Sequence, residues 1–285
     1  MHIDVNGTRL WFDVDGPGLV PDGAGMRQRP TIVLVHGGPG GFDHSYFKPY
    51  FARLTDLAQV VYLDLRDHGR SGRHDVARWS FEVCADDVRA FCDALGIERP
   101  VVLGHSLGGV IAMVYGARHP GHASGLVLQS AMARFELDRL VEAFRAAGGD
   151  EVADLARRAY SGDPVSTVEW SRVFAAFGPC VPDDDTLARR IPNVDVAKPG
   201  MELLRRLDVV DQLGSIACPT LVCTGALDPV TPPAAAREIL DGLPPGVGEL
   251  HILDGAGHFP WLDQPDTYLK LVAGWVNATD RRRRQ

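Results

Sequence analysis

Ser106 lies in the stretch Val101 to Gly109, V-V-L-G-H-S-L-G-G, with one glycine two residues before it and another two residues after it. An apolar run leads into this motif and a helical pattern leads out of it. A strand that turns this sharply into a helix strains the backbone of the middle residue and crowds its neighbours. Glycine is the residue type that tolerates such crowding, which explains Gly104 and Gly108. The turn lifts a serine hydroxyl clear of the sheet, at the positive end of a helix, where a carbonyl group can reach it. The chemistry this suits is nucleophilic attack on an acyl carbon.

A serine hydroxyl is a weak nucleophile near neutral pH and needs a base within hydrogen-bond reach. His258 follows the apolar run Leu250 to Leu253 in D-G-A-G-H-F-P, and Asp228 follows Thr220 to Cys223 in G-A-L-D-P. His258 can take the serine proton and return it to the leaving group. Asp228 can hold the imidazole in the correct tautomer and stabilise the imidazolium. Asp254 is the rival acid, but it shares a strand end with His258 and would have to double back. The developing oxyanion needs donors as well, and the backbone N–H groups of Leu107 and Gly38 are expected to supply them. His105 is expected to pack beneath the elbow, His36 to brace the glycine loop, and His68 to belong to a turn. No zinc-ligand spacing and no phosphate-binding glycine motif occurs, so neither a metal nor another cofactor is expected.

These groups require a frame. Residues His2 to Val14 alternate around Asn6-Gly7 and predict a hairpin. Gly16 to Pro30 reads as a loop. Thr31 to Val35, Val60 to Leu65, Val101 to Leu103, Leu126 to Leu128, Thr220 to Cys223 and Leu250 to Leu253 read as strands. The first of these runs into His36-Gly37-Gly38-Pro39-Gly40-Gly41. Helical spacing occupies Phe81 to Leu95, the segment from the elbow through Arg118, Ala234 to Leu240, and Pro265 to Val276. This alternation predicts a mostly parallel sheet with helices on both faces. Functional groups then collect beyond the carboxyl ends of the strands, where Ser106, Asp228 and His258 fall. The alternation fails between about Ala133 and Arg206, where helical periodicity broken by Gly148-Gly149, Gly162-Asp163-Pro164 and Gly178-Pro179 predicts an inserted helical lid.

The chain has 285 residues, 45% hydrophobic and 23% charged, with a formal net charge of -8. That balance suits a soluble globular domain and disfavours nucleic acid as a partner, because phosphate binding wants a basic face. The run Arg281 to Arg284 is expected to be a frayed, solvated end. Cys84, Cys92, Cys180, Cys218 and Cys223 form no C-x-x-C pair and no disulfide framework. The first residues are too polar for a signal peptide and no run is long enough to span a bilayer, so a cytoplasmic location without membrane attachment is expected.

These motifs resemble the α/β-hydrolase superfamily over essentially the whole chain. The resemblance implies an eight-stranded, mostly parallel sheet flanked by helices, with the lid inserted after the sixth strand. The core would be residues 1–132 and 207–285, and the cap residues 133–206. His36-Gly37-Gly38-Pro39-Gly40 resembles the H-G-G-P-G loop of proline iminopeptidases, and Asp64-Leu65-Arg66 with Gly69-Arg70-Ser71 resembles a turn shared more widely. The resemblance implies a Ser106–Asp228–His258 triad, an oxyanion hole from Gly38 and Leu107, and a small-molecule or short-peptide substrate. Two positions depart from the iminopeptidase pattern. The elbow reads G-H-S-L-G-G instead of G-G-S-W-G, as in esterases and carbon–carbon bond hydrolases. Asp67 replaces a glycine in the turn, where aspartate is less comfortable.

Iminopeptidases bind a free amine with lid glutamates; Glu169, beside Trp170, and Glu202 are the positions available, and an exposed helix surface is the default for each. The leading expectation is a proline-iminopeptidase-like serine hydrolase acting on an ester or amide. A carboxylesterase, a lactonase or a carbon–carbon bond hydrolase is the alternative. A non-catalytic ligand receptor on the same fold is the reading from another class.

Overall fold

Thr31–Val35 (β5) shows how the sheet is built: Val33 and Val35 face one hydrophobic layer while Ile32 and Leu34 face the other. Such a strand is apolar throughout because both faces are covered. The computed structural model describes residues 1–74 and 76–284, with the side chains of Arg283 and Arg284 outside the described set. The strands are β1 (His2–Val5), β2 (Thr8–Asp15), β3 (Leu19–Asp22), β4 (Gly25–Gln28), β5, β6 (Gln59–Asp64), β7 (Val101–His105), β8 (Gly125–Gln129), β9 (Thr220–Gly225) and β10 (Gly248–Leu253). Eight of them form one sheet in the order β1-β2-β6-β5-β7-β8-β9-β10. The β1–β2 and β2–β6 pairs are antiparallel and the remaining pairs are parallel. Val35 is in register with Gly104 and His105 with Gln129, so several strands end at one rim.

The helices are α1 (Lys48–Phe51), α2 (Phe81–Ala94), α3 (Leu107–Arg118), α4 (Leu137–Ser161), α5 (Thr167–Ala175), α6 (Asp184–Arg189), α7 (Val194–Leu204), α8 (Pro233–Gly242), α9 (Pro260–Asp263) and α10 (Pro265–Arg284). Ser80 caps α2 by accepting from the Val83 N–H, which fixes its start one residue before the apolar stripe. Residues of α2, α3 and α8 cover one face, and Phe51, Trp261, Tyr268 and Val272 lie in the layer on the other. The four helices α4 to α7 fall between the sixth and seventh strands of the large sheet. Gly149, at φ 81, breaks α4 at the expected Gly148-Gly149 pair.

Two local expectations need correction. Gly16 to Pro30 is not a plain loop: β3 and β4 pair antiparallel across Gly23, which sits at φ +59. Its turn chemistry outweighs the Pro and Gly content that argued against strand. The last helix continues to Arg284, so the arginine run extends a helix where a frayed end was expected. Among the described residues no helix is long and apolar enough to cross a membrane. All five cysteines are free, four of them buried.

Candidate active site

The elbow follows directly from its glycines. Ser106 has φ 55 and ψ -118, a strained conformation that joins β7 to α3. A Cβ on Gly104 would lie 2.0 Å from the Gly108 carbonyl oxygen, and one on Gly108 would lie 2.0 Å from the Val35 carbonyl oxygen. No flexible side chain can yield at either place, because both obstacles are backbone. The Ser106 N–H donates to Gln129 O at 2.9 Å, and its carbonyl accepts from Gly109 and Val110, starting the helix. Among the described residues the Ser106 hydroxyl makes no hydrogen bond; nucleophile–base contacts are often long without substrate.

His258 and Asp228 are brought together. The His258 Nδ1–H donates to Asp228 Oδ2 at 2.9 Å, both side chains buried. This leaves Nε2 with its lone pair, the state a general base requires. Asp228 is oriented in turn by the N–H groups of Val230 and Thr231, at 2.9 Å each, and by the Thr231 hydroxyl at 2.6 Å. The rival Asp254 is exposed, and its carbonyl is occupied by Gln264.

The glycine loop is fixed by histidines whose tautomers follow from their partners. His36 Nε2 accepts the Leu65 N–H at 3.1 Å, so its proton is on Nδ1, which donates to Gly37 O at 2.7 Å. The Gly37–Gly38 peptide is trans and planar, so holding its carbonyl on one side turns the Gly38 N–H to the other. His68 Nε2 accepts the Gly40 N–H at 2.9 Å and its Nδ1–H donates to Arg66 O at 2.8 Å. Burial pushes His36 below the usual histidine range and His68 down to about 3, so both remain neutral acceptors. A Cβ on Gly38 would come 3.2 Å from Leu107 Cδ2, which sets Gly38 beside the start of α3. Among the described residues neither the Gly38 nor the Leu107 N–H has a hydrogen-bond acceptor.

Asp43, His44 and Asp64 offer three ligand atoms within 4.8 Å of one another. Their oxygens are already engaged. Asp64 accepts from His44 N–H, His44 Nδ1 and Arg70 N–H, while Asp43 accepts from the N–H groups of Ser45 and Ile191. Burial by itself would raise the Asp64 carboxyl, but the hydrogen bond and charge of His44 hold it below the usual carboxylate range. The trio is a loop-fixing network. Asp67 tolerates the glycine position because it adopts φ 63 and its carboxylate accepts the His74 N–H at 2.6 Å.

Segments between α5 and α7 close on both loops. Phe177 O accepts the His258 N–H at 2.8 Å, and a Cβ on Gly257 would lie 2.3 Å from Gly178 Cα. Asp263 joins the two segments of this contact, accepting from Cys180 N–H at 2.7 Å and Gly257 N–H at 2.8 Å. On the other side, the Asn193 N–H donates to Gly40 O and its side-chain amide to Asp67 O, both at 2.8 Å. The Phe177 ring meets the His258 imidazole edge-on at 5.4 Å, and Phe42, Phe174 and Phe259 continue the aromatic wall. Glu169 faces away. One of its oxygens pairs with Arg158, the other accepts the Ser166 N–H in a capping box, and Glu202 is exposed. Thr231, Asp263 and the Phe177 carbonyl were not legible beforehand, since nothing local marks which distant loop a threonine or a carbonyl will meet.

The sequence profile of the alpha/beta hydrolase fold matches residues 30–265. A pimeloyl-[acyl-carrier protein] methyl ester esterase of Edwardsiella ictaluri is 28% identical, covering 90% of this chain and 95% of that protein. The proline iminopeptidase PfmaB of Pestalotiopsis fici is 24% identical over 95% of this chain and 96% of its own. The crystal structure of a proline iminopeptidase from Mycobacterium smegmatis superposes with a TM-score of 0.77 at 22% identity, covering 99% of each chain. A strained serine between obligatory glycines, on a sheet of this order and within this profile, assigns the chain to the alpha/beta hydrolase fold family.

Proposed function

We propose that the chain is a serine hydrolase that forms an acyl-enzyme on Ser106 and cleaves an ester or amide of a small substrate. The observation that carries this reading is the buried Asp228–His258 pair, whose tautomer leaves Nε2 as acceptor at the rim that holds the Ser106 elbow. In acylation the Ser106 oxygen bonds to the carbonyl carbon while its proton passes to His258 Nε2. The C–O or C–N bond to the leaving group then breaks, and His258 hands it the proton. Water repeats the sequence to release the acid. Gly38 and Leu107 N–H donate to the oxyanion, and losing such a donor costs about 10²–10³ in rate. Residues 133–206 act as the cap that shapes the acyl site.

The cap favours an uncharged, apolar acyl group. Its inner side carries Phe174 and Phe177 against His258 and Phe259, whereas none of its described acidic side chains is buried. A free amine under this cap would meet rings instead of a carboxylate. Ester hydrolysis therefore ranks first here, with proline-iminopeptidase activity second, supported by the H-G-G-P-G loop. The test compares p-nitrophenyl butyrate with a proline arylamide, together with phosphonate labelling. Ester turnover that is abolished in Ser106→Ala, with label on Ser106, is the expected result. Arylamide turnover exceeding the ester would reverse the ranking. Undiminished turnover by Ser106→Ala would remove the hydrolase mechanism itself.

A further inference from the structure

The sheet alone cannot hold the base opposite the serine. In strand order β10 stands three places from β7, about 14 Å at the usual inter-strand spacing. The loop carrying His258 must cross the ends of β8 and β9 to reach Ser106, beyond the reach of any strand pairing.

A chain of three hydrogen bonds joins the glycine loop to the base loop, and its last link closes the gap. The Gly37 N–H donates to Tyr46 Oη at 2.7 Å. Tyr46 Oη pairs with His105 Nδ1 at 2.9 Å, and His105 Nε2 with the His258 carbonyl at 3.0 Å. The direction is fixed at both ends. Gly37 N–H can only donate, so the tyrosine proton goes on to Nδ1. The His258 carbonyl can only accept, so the imidazole proton sits on Nε2. One neutral tautomer satisfies every member, and any other leaves two acceptors or two donors facing each other. Tyr46, His105 and His258 are all at most 3% exposed, so water cannot repair a broken link. Burial holds His105 well below the usual histidine range, which preserves this direction at neutral pH.

We propose that Tyr46 and His105 are positioning residues that lock the glycine loop and the base loop to the elbow through one directional hydrogen-bond chain. The inference rests on the serine-hydrolase reading above. Neither side chain reaches the reacting atoms in this scheme. Tyr46 acts on Gly37, next to the oxyanion donor, and His105 acts on the main chain of the base. Because both belong to one chain, cutting it once does nearly all the damage.

The experiment measures kcat per phosphonate-titrated site and KM with p-nitrophenyl butyrate, which separates geometry from a loss of folded protein. Tyr46→Phe and His105→Leu each lower kcat per site by about 10- to 100-fold with KM changed less than about threefold. His105→Gln, whose amide can accept from Tyr46 and donate to His258, stays within about fivefold of the parent. The double variant Tyr46→Phe/His105→Leu is no worse than the poorer single one, whereas independent sites would multiply their losses. Parent-like kcat per site in both single variants, multiplying losses, or a glutamine variant as poor as the leucine one overturns the proposal. Ser106→Ala serves as the control for the layer beneath. If it turns over the ester normally, the hydrolase reading falls; if it is inactive while both single variants behave as the parent, only the hydrogen-bond chain falls.

Discussion

Ser106 and His258 are held by different means. The serine elbow is fixed by backbone pressed on backbone, with Gly104 against Gly108 and Gly108 against Val35. The histidine loop also presses backbone on backbone, Gly257 against Gly178, but it depends in addition on polar partners from four places: Asp228, the Phe177 carbonyl, His105 and Asp263. Steric fixation has no titratable element and needs nothing from helices α4 to α7. Polar fixation can be adjusted, depends on distant segments, and fails when one of them moves. The proposed nucleophile is thus built into the sheet, while the proposed base is delivered to it by assembly of the whole molecule.

The largest expected effect tests the steric half. Gly108→Ala puts a Cβ where the Val35 carbonyl already is, and a loss of more than about 4 kcal/mol is expected. Urea denaturation would measure it; a variant of parent-like stability would show that the elbow has slack. Asp228→Asn tests the polar half with the fold preserved. It should lower kcat about 10⁴-fold by favouring the wrong tautomer of His258, with a melting temperature near the parent's. Equal loss of stability in both variants would erase the contrast between the two loops.

A smaller effect comes from pH. His68 is depressed to about 3 in the fold against an ordinary 6.5, so between those values the unfolded chain binds the extra proton. Stability from this residue is full above 6.5 and declines as pH falls below it, by about 2 kcal/mol at pH 5. His36 and His105, shifted the same way by burial, add to the slope. Denaturation midpoints at pH 7 and pH 5 would show the decline, and His68→Gln should make it shallower. The smallest effect sharpens the role of the cap. Glu169→Gln removes an outward ion pair with Arg158 and should change ester turnover less than about twofold. A larger change would mean that the outer face of the cap also reaches the base loop.

Much of this was legible without coordinates, for identifiable reasons. Thr31–Val35 reads as a buried strand because its apolarity is continuous, and Gly104 and Gly108 announce the elbow because no other side chain fits there. Asp228 and His258 were findable because each directly follows an apolar strand. The β3–β4 hairpin was missed because Pro21 and the surrounding glycines outweighed a turn signal only two residues wide. His105 was expected to pack beneath the elbow and does so, but its bond to a carbonyl 153 residues away has no local trace.

The sequence by itself determined the strands of the large sheet, the strained serine and the order of the chemical groups, because these follow from side-chain size and polarity over a few neighbouring residues. Only the tertiary structure decided that Asp228, not Asp254, meets His258. It alone also decided that Phe177 and Asn193 close on the two loops and that Tyr46 and His105 join them. Those outcomes depend on which donors face which acceptors once separate strands share a rim, and a hydrogen bond leaves no periodicity in the chain that makes it.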